Sequence, residues 1–398
     1  MQVKAQREID DVDLLVTQQA SDLSAMLHEH RLEMFPPNAH KTLRPFQIAE
    51  VASYLGVSAG YLKNLSLEGK GPLPAVTPTG RRSYTAEQML EMRHFLDKSA
   101  RIPKYVPHRR GAEHLQILSV VNFKGGSAKT TTTAHLAQHL ALEGYRVLAI
   151  DLDPQASLSA LHGFQPEIDH NESLYEALRY DDQRKSLKDL VRPTNFPGLH
   201  IVPANLELQE YEYDTPLALA RNDGSMGRIF FGRLDDALAD VADDYDVVVI
   251  DCPPQLGYLT LTALSSSTSV LITVHPQMLD VMSMCQFLMM MGEVMGTLKR
   301  AGANMQLDWL RYLVTRYEPT DGPQSQMVAF MRAIFKSHVL VNEMLKSTAI
   351  SDAGITKQTL YEVDRSQFTR ATYDRAMESL RLVNGEIADL INAAWGRR

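Results

Sequence analysis

The fold of this chain is decided by one segment, Val121-Asn122-Phe123-Lys124-Gly125-Gly126-Ser127-Ala128-Lys129-Thr130-Thr131. An apolar, β-branched run from Leu115 to Val121 predicts a buried strand before it, and a helical pattern continues after it as far as Leu142. A glycine loop between a strand and a helix is suited to hold a triphosphate, because the backbone N–H groups and the dipole at a helix N-terminus favour anions. The segment therefore predicts a phosphate-binding loop.

The residue types in this loop match that chemistry. Gly125 and Gly126 let the main chain approach a phosphate closely. Lys129 can reach the β- and γ-phosphates, and the Thr130 hydroxyl can bind Mg²⁺. The alternative is an ordinary glycine turn between a strand and a helix, with lysines there by chance. The candidate nucleotide contacts are Lys124, Gly125, Gly126, Ser127, Ala128, Lys129, Thr130 and Thr131.

Two further apolar runs end in carboxylates. The run Arg146–Ile150 is followed by Asp151 and Asp153, and the run Asp246–Ile250 is followed by Asp251. The carboxyl ends of parallel strands are where an open α/β sheet binds its ligands, and an acid at such an end can hold Mg²⁺ through water. Alternatively, these acids cap the helices that follow. The three motifs together predict a mostly parallel, doubly wound α/β sheet of the P-loop nucleotide hydrolase class.

Composition indicates a cytoplasmic protein of more than one domain. The chain has 398 residues, of which 44% are hydrophobic, and this is enough for a large core. Its two cysteines, Cys252 and Cys285, lack metal-ligand spacing and favour a reducing compartment. The charged N-terminus predicts no signal peptide. The methionine-rich stretch Val281–Met291 is too short to span a bilayer, and we expect it in the core or at a dimer face.

Charge is distributed unevenly along the chain. Residues 40–110 contain 12 Lys and Arg against 5 Asp and Glu, a balance of +7. Because the whole chain carries -8, the remainder must carry -15. A basic block within an acidic chain predicts a separate domain whose natural partner is nucleic acid.

The basic block has the spacing of a helix-turn-helix. Apolar residues between Ile48 and Leu55 mark one helical face, Gly56 suits the turn, and Ser58 is a natural N-cap for a second helix. The following segment, Gly80–Tyr84, looks like the wing of a MerR-type winged helix. A small three-helix domain without a DNA role is the alternative. The candidate DNA contacts are Ser58, Tyr61, Lys63, Asn64, Arg81 and Arg82.

An amphipathic helix is predicted ahead of this block. It runs from about Lys4 to Met34 and ends before Pro36-Pro37. We expect it to make a dimer contact, and packing onto the rest of the chain is the alternative. The predicted domains are therefore residues 1–37, the dimerisation helix; 38–101, the winged helix-turn-helix; 102–112, a proline-marked basic linker; and 113–398, the nucleotide-binding domain.

The loop sequence Lys-Gly-Gly-x-x-Lys-Thr-Thr resembles the deviant P-loop of the ParA/MinD superfamily, although Ala128 stands where glycine is commonest. The order of helix, winged helix-turn-helix, linker and ATPase resembles the long plasmid ParA proteins, above all the RepA partition ATPases of repABC-type plasmids. The resemblance implies that Lys124 crosses a nucleotide-sandwich homodimer to the partner's phosphates. It also implies that Asp153 positions the attacking water and that Asp151 and Asp251 support the Mg²⁺.

Further contacts are implied by the same resemblance. In such proteins adenine is held by the loops after two later strands, which points here to Pro276, Thr315 and Arg316. Non-specific DNA contacts fall near the carboxyl end of the domain, beside the aromatic residues Tyr361, Phe368 and Tyr373; solvated helix charges are the alternative. The candidates there are Lys357, Arg365, Arg370 and Arg375.

A functional cycle also follows from the resemblance. ATP-bound dimers are expected to coat DNA without reading its sequence, a ParB-type centromere-binding partner to stimulate hydrolysis, and the ADP form to bind the operator and repress its own operon. The segment Glu386–Arg398 carries acids and only two terminal arginines, which disfavours the membrane anchoring of MinD-type relatives. The alternative function is a nucleotide-sensing repressor without a motor role, for which a water-positioning Asp153 would be dispensable.

Overall fold

A computed structural model of the chain describes residues 12–34, 41–101, 104–164, 171–220, 230–303 and 305–397. They fall into two compact units, Met1–Lys41 and Thr42–Arg398. The first unit contains helix α1, Val12–Met34. Its predicted beginning before Val12 and the Pro36-Pro37 stop lie outside the described residues, and the dimer contact through this helix stays a prediction.

The second unit is built on a seven-stranded sheet. Its strand order is β10-β9-β4-β8-β5-β7-β6, and every neighbouring pair is parallel except β6 with β7 at one edge. The predicted α/β class with a mostly parallel sheet is therefore confirmed. The strands are β4 Gln116–Val121, β5 Val147–Asp151, β6 Arg192–Pro193, β7 Leu199–Val202, β8 Val247–Asp251, β9 Ser269–Val274 and β10 Trp309–Val314.

Each face of this sheet is covered by its own apolar core. In β4, Leu118 and Val120 point to one core while Ile117 and Val121 point to the other, because successive side chains of a strand alternate. Helices α5 and α15 cover the first face, and α11 and α12 cover the second. The helices of this part are α5 Lys129–Leu142, α6 Ser157–Leu161, α7 Tyr175–Leu178, α8 Leu187–Leu190, α9 Leu208–Ala220, α10 Arg233–Ala239, α11 Tyr258–Ser266, α12 Met278–Arg300, α13 Gly322–Phe335, α14 Thr348–Ile355 and α15 Arg370–Ala394.

Residues 42–99 form three helices and a small antiparallel sheet. Gly56 adopts φ +63 at the end of the first helix, which is the left-handed conformation that a tight turn between two helices requires. The sheet order is β1-β3-β2, and the β2–β3 hairpin is the predicted wing. The elements are β1 Phe46–Gln47, α2 Ile48–Leu55, α3 Ala59–Leu67, β2 Ala75–Val76, β3 Arg82–Tyr84 and α4 Ala86–Ser99.

This small fold packs directly against the large sheet's helices. Its buried residues, such as Val51 and Leu62, belong to the same continuous core as Leu136 and Leu140 of α5. Of the predicted linker, residues 102 and 103 lie outside the described residues, and the Arg109 amide donates to Asp246 Oδ1 at 2.9 Å.

The methionine-rich stretch belongs to the longer helix α12, of 23 residues. By length and composition alone, it is the one helix among the described residues that is apolar enough to cross a bilayer, and 22% of its most apolar window is buried. Met284 and Met291 are buried in the core, whereas Met282, Met289 and Met290 are exposed, and a dimer contact through them stays a prediction.

Candidate nucleotide-binding site

The predicted phosphate-binding loop joins the end of β4 to the start of α5. Gly126 has φ +77, a conformation that glycine adopts freely. Ala128 has φ +68, and there a Cβ costs about 1–2 kcal/mol. Ala156 and Arg316, at φ +54 and +53, are strained in the same way on neighbouring loops. Backbone strain is therefore concentrated around this loop, as it often is at binding sites.

The loop is supported from the strands on either side. Asn122 donates from Nδ2 to the Thr273 carbonyl at 2.6 Å and accepts from the Lys124 amide at 2.9 Å. Thr315 Oγ1 donates to the Ser127 carbonyl at 3.0 Å. Sequence reasoning missed Asn122 and Thr273, because neither residue type at a strand end distinguishes a supporting side chain from a ligand contact.

The two loop lysines differ in environment. Lys129 is buried and its Nζ lies 3.4 Å from the Lys124 carbonyl. Burial lowers the pKa of Lys129, and the nearby Asp251 opposes that shift. Lys124 is more exposed, and its Nζ forms an ion pair of 2.5 Å with Asp280 Oδ1 in the first turn of α12. Nothing in the sequence pattern predicted Asp280, because the pair joins residues 156 positions apart.

Two acids meet at the carboxyl ends of adjacent strands. Asp151 and Asp251 lie opposite each other in the β5–β8 register, and both are fully buried. Burial raises the pKa of Asp151 to about 7, and burial together with the Asp151 charge raises the pKa of Asp251 well above its usual value. Two buried carboxyls side by side favour their neutral forms unless a cation joins them.

Only one of these acids has free oxygens for such a cation. Asp151 Oδ2 accepts from the amide and the hydroxyl of Ser159, at 2.8 and 2.7 Å. Neither carboxylate oxygen of Asp251 has a hydrogen-bond partner, although both are buried. The Thr130 hydroxyl and the Lys129 ammonium favour the charged form of Asp251 and so offset part of the rise in its pKa. Asp251 and Thr130 therefore fit a Mg²⁺ ion, while Asp151 is held in place by Ser159.

A hard cation here needs oxygens from other sources as well. Among the residues that the structure describes, no group of three His, Cys, Asp or Glu side chains could hold a metal ion alone. Mg²⁺ commonly keeps several waters and takes one or two carboxylates plus substrate phosphates. The donor set at Asp251 fits that pattern.

Asp153 lies on the loop after β5. Its amide donates to Asp151 Oδ1 at 3.2 Å, and its Oδ1 accepts from the Gln155 amide at 2.9 Å. These contacts fix the turn and place a partly exposed carboxylate beside the two buried ones. The role of Asp153 in positioning water stays a prediction.

The predicted adenine contacts occupy different positions around the loop. Thr315 is buried under the loop through its bond to Ser127, and Arg316 donates from Nη1 to the Gly126 carbonyl at 3.0 Å. Pro276 is buried on the loop after β9. Thr315 and Arg316 therefore shape the loop in this structure, and base recognition by the three residues stays a prediction.

The candidate DNA contacts near the N-terminus lie on α3 and the wing. Tyr61, Lys63 and Asn64 are exposed on α3. Ser58 caps that helix, because its hydroxyl accepts from the Tyr61 amide at 3.1 Å. At the wing, Arg81 is exposed and Arg82 is partly exposed; Arg82 Nη1 donates to the Gly80 carbonyl at 3.4 Å.

The carboxyl-terminal candidates are more dispersed. Arg365 forms an ion pair with Asp374, and Arg370 Nε lies 3.8 Å from the same carboxylate. Lys357 has φ +51, and Arg375 is exposed on α15.

Two of the aromatic residues expected beside these cations cannot stack on bases. Tyr361 and Tyr373 are 1% and 6% exposed and belong to the core between α5 and α15. Of the three aromatic residues only Phe368 is partly exposed, so the two tyrosines are not available to DNA, and the DNA contacts of the four cations stay a prediction.

The chain is similar to a protein family and to several known proteins. A protein-family model described as an AAA domain matches residues 115–304, which include the loop and all three acids. A Sinorhizobium fredii protein provisionally named replication protein A is 64% identical over 386 residues, covering 96% of this chain and 95% of that protein. The chromosome partitioning protein ParA of Myxococcus xanthus is 34% identical over 56% of this chain and 73% of that protein.

A solved structure is also similar to this chain. The cobyrinic acid a,c-diamide synthase of Mycobacterium smegmatis, determined with a bound ATP analogue and magnesium, is 28% identical with a TM-score of 0.51. The match covers 61% of this chain and 94% of that one.

Proposed function

The chain belongs to the ParA family of plasmid partition ATPases, and from that premise we propose that it binds ATP or ADP with Mg²⁺ and hydrolyses ATP during plasmid partition. The observation that carries the proposal is the buried Asp251, whose two oxygens lack partners beside Thr130 and Lys129. An unpaired buried carboxylate is costly unless a ligand completes it.

Each residue of the site has a distinct task in this proposal. Lys129 binds the β- and γ-phosphates, and the loop from Gly125 to Thr131 surrounds them with backbone N–H groups. Thr130 and Asp251 would hold the Mg²⁺, which would neutralise charge on the phosphates. Asp151 fixes the neighbouring loop through Ser159. Asp153 orients the attacking water.

Lys124 acts in the homodimer. In the single chain its ammonium is held by Asp280, 2.5 Å away. On dimerisation Lys124 leaves Asp280 and contacts the phosphates bound by the partner copy. The switch exchanges one ion pair for another of higher charge, and the dimer is therefore favoured only when ATP is bound.

The remaining steps concern DNA and a second protein. The ATP-bound dimer binds DNA without sequence preference, and the ADP form binds its operator through α3 and the wing. A ParB-type centromere-binding protein stimulates hydrolysis. The protein acts in the cytoplasm on the nucleoid. A nucleotide-sensing repressor without a motor role is the second candidate, and the basic block of residues 40–110 is the observation that favours it.

Steady-state hydrolysis separates the two candidates. We expect turnover to rise strongly when non-specific DNA and the centromere-binding protein are added together, and Asp153→Ala to bind ATP but remove the rise. Turnover that neither addition changes, with intact operator binding, would favour the repressor.

A further inference from the structure

An apolar groove lies between α12 and α13. Its volume is about 1070 Å³, and its walls include Met278, Met282, Met289, Phe330 and Ile334. These five side chains are between 53% and 73% exposed. The groove is slightly larger than a typical small-molecule pocket, and a contiguous apolar surface rimmed by polar residues often marks a binding site.

The exposed face of α12 has the pattern of a binding stripe. Met278, Met282, Cys285 and Met289 recur at helical spacing and all line the groove. Along this stripe the first exposed charged residue is Glu293. Methionine is unbranched and adaptable, and it is overrepresented on surfaces that accept helices from other proteins.

The size and charge of the groove select its occupant. From Met278 to Met289 the stripe is about 16 Å long, or three helical turns, which suits apolar anchors at i, i+3, i+4 and i+7 of a bound helix. Asp321 is the one charged residue among those lining the groove. The Asp280 carboxylate lies in the first turn of α12, at the same end as Met278, and it loses its pairing with Lys124 in the proposed ATP-bound dimer. An occupant with cations at that end is therefore favoured.

We propose that this groove docks an amphipathic helix with a basic polar face, supplied by the centromere-binding partner. The inference rests on the proposed function, since it names the surface through which that partner acts. Pro276 and Gln277 line the groove and belong to the loop after β9, and the next turn contains the Asp280 that holds Lys124. A helix in the groove thus touches the loop and the turn that border the nucleotide site, which gives docking a direct route to hydrolysis.

Cys285 provides a readout of occupancy that does not depend on hydrolysis. It is exposed in the groove, whereas Cys252 is fully buried. The rate at which an aromatic disulfide reagent modifies Cys285 is measured on the full chain with ATP and Mg²⁺, with and without the centromere-binding protein. At a partner concentration ten times Kd, we expect modification to slow about tenfold.

Two variants test whether docking drives stimulation. Met282→Asp with Met289→Asp should abolish both the protection of Cys285 and the partner-stimulated turnover, while DNA binding and unstimulated turnover persist. Leu206→Asp, an equally exposed apolar position outside the groove, is the control and should keep both. Loss of DNA-dependent turnover in the unmodified chain would instead count against the proposed function itself.

Other occupants give different results, each of which would overturn the proposal. Protection that grows with the concentration of this chain alone, together with dimers in sedimentation, would assign the groove to a second copy. Protection by vesicles of anionic lipid would assign it to a membrane. Full stimulation of the double variant by the partner would place the docking surface elsewhere.

Discussion

The two ends of helix α5 are built in opposite ways. At its N-terminal end stand the strained Ala128, the buried Lys129 and the unpartnered carboxylate of Asp251. At its C-terminal end Arg93 of α4 donates to the Leu142 carbonyl at 3.0 Å and pairs with Glu143 at 3.4 Å. The helix dipole favours an anion at the first end and a cation at the second. At the C-terminal end, which we call the closed end, the chain supplies the cation itself. At the N-terminal end, which we call the open end, the anion must come from a ligand.

The closed end joins the small fold of residues 42–99 to the helix that begins at the candidate nucleotide site. Arg93 is 4% exposed and also donates to the carbonyls of Tyr54, at 2.5 Å, and Tyr105, at 3.1 Å. Gly144 has φ +94, and a Cβ there would lie 2.6 Å from Arg93 Cδ, so the guanidinium needs glycine beside it. Helix α5 therefore has the glycine loop at one end and the small fold of residues 42–99 at the other.

Arg93→Met should have the largest effect, because it removes the cation from the closed end. Three carbonyls lose a donor and the partly exposed Glu143 loses its partner; a buried acceptor left without a donor costs about 1–3 kcal/mol, so stability should fall by about 3–5 kcal/mol in all. Urea unfolding measures the loss. Arg101→Met, at an exposed position, is the control and should change stability by less than about 0.5 kcal/mol. An Arg93 variant as stable as this control would show that the joint contributes nothing.

Lys129→Met tests the open end. The phosphates lose their buried cation, and ATP affinity should fall by about 3 kcal/mol, or roughly a hundredfold, in a titration with a fluorescent analogue. Lys124→Met should weaken single-chain binding much less, because Lys124 is paired with Asp280. Equal losses in the two variants would contradict the different tasks given to these lysines.

Acid should weaken the last turn of α5, which contains His139. His139 is fully buried, and burial, followed by the charges of Arg93 and Arg381, lowers its pKa to about 4. Between pH 6.5 and 4 this histidine binds a proton in the unfolded chain but not in the folded chain. The free energy of unfolding therefore falls as pH falls through this range. At pH 5 the loss is about 2 kcal/mol.

A variant of His139 separates its contribution to the pH dependence of stability from the contributions of other titrating groups. The raised pKa of Asp151 acts in the opposite direction, because its carboxyl gains a proton on folding over the same range. We therefore expect the stability difference between wild type and His139→Gln to shrink by about 2 kcal/mol from pH 7 to pH 5 in urea unfolding. His94→Gln, at an exposed position, should show no such change. A constant difference for His139→Gln would show that folding leaves the pKa of its ring unchanged.

Most of the open end could be predicted from sequence, and little of the closed end could. The loop and the acids at Asp151 and Asp251 follow apolar strands, and their signals are local. The contacts of Arg93 with Leu142 and of Lys124 with Asp280 join distant segments, and no periodicity encodes them. The dimer and the DNA contacts stay predictions for a related reason, since a single chain shows exposed cations but not what they bind.

Ala128→Gly should have the smallest effect and the opposite sign. At φ +68 an alanine Cβ is strained, and glycine relieves that strain at the expense of a more flexible unfolded chain. The net gain should be about 1 kcal/mol in urea unfolding. Ala301→Gly, at φ -77 and exposed, lacks the strain and should lose about 0.5–1 kcal/mol. Equal losses in both variants would mean that the loop is relaxed at Ala128, and a gain at Ala128 alone would show that the backbone at this end of α5 is strained before its ligand binds.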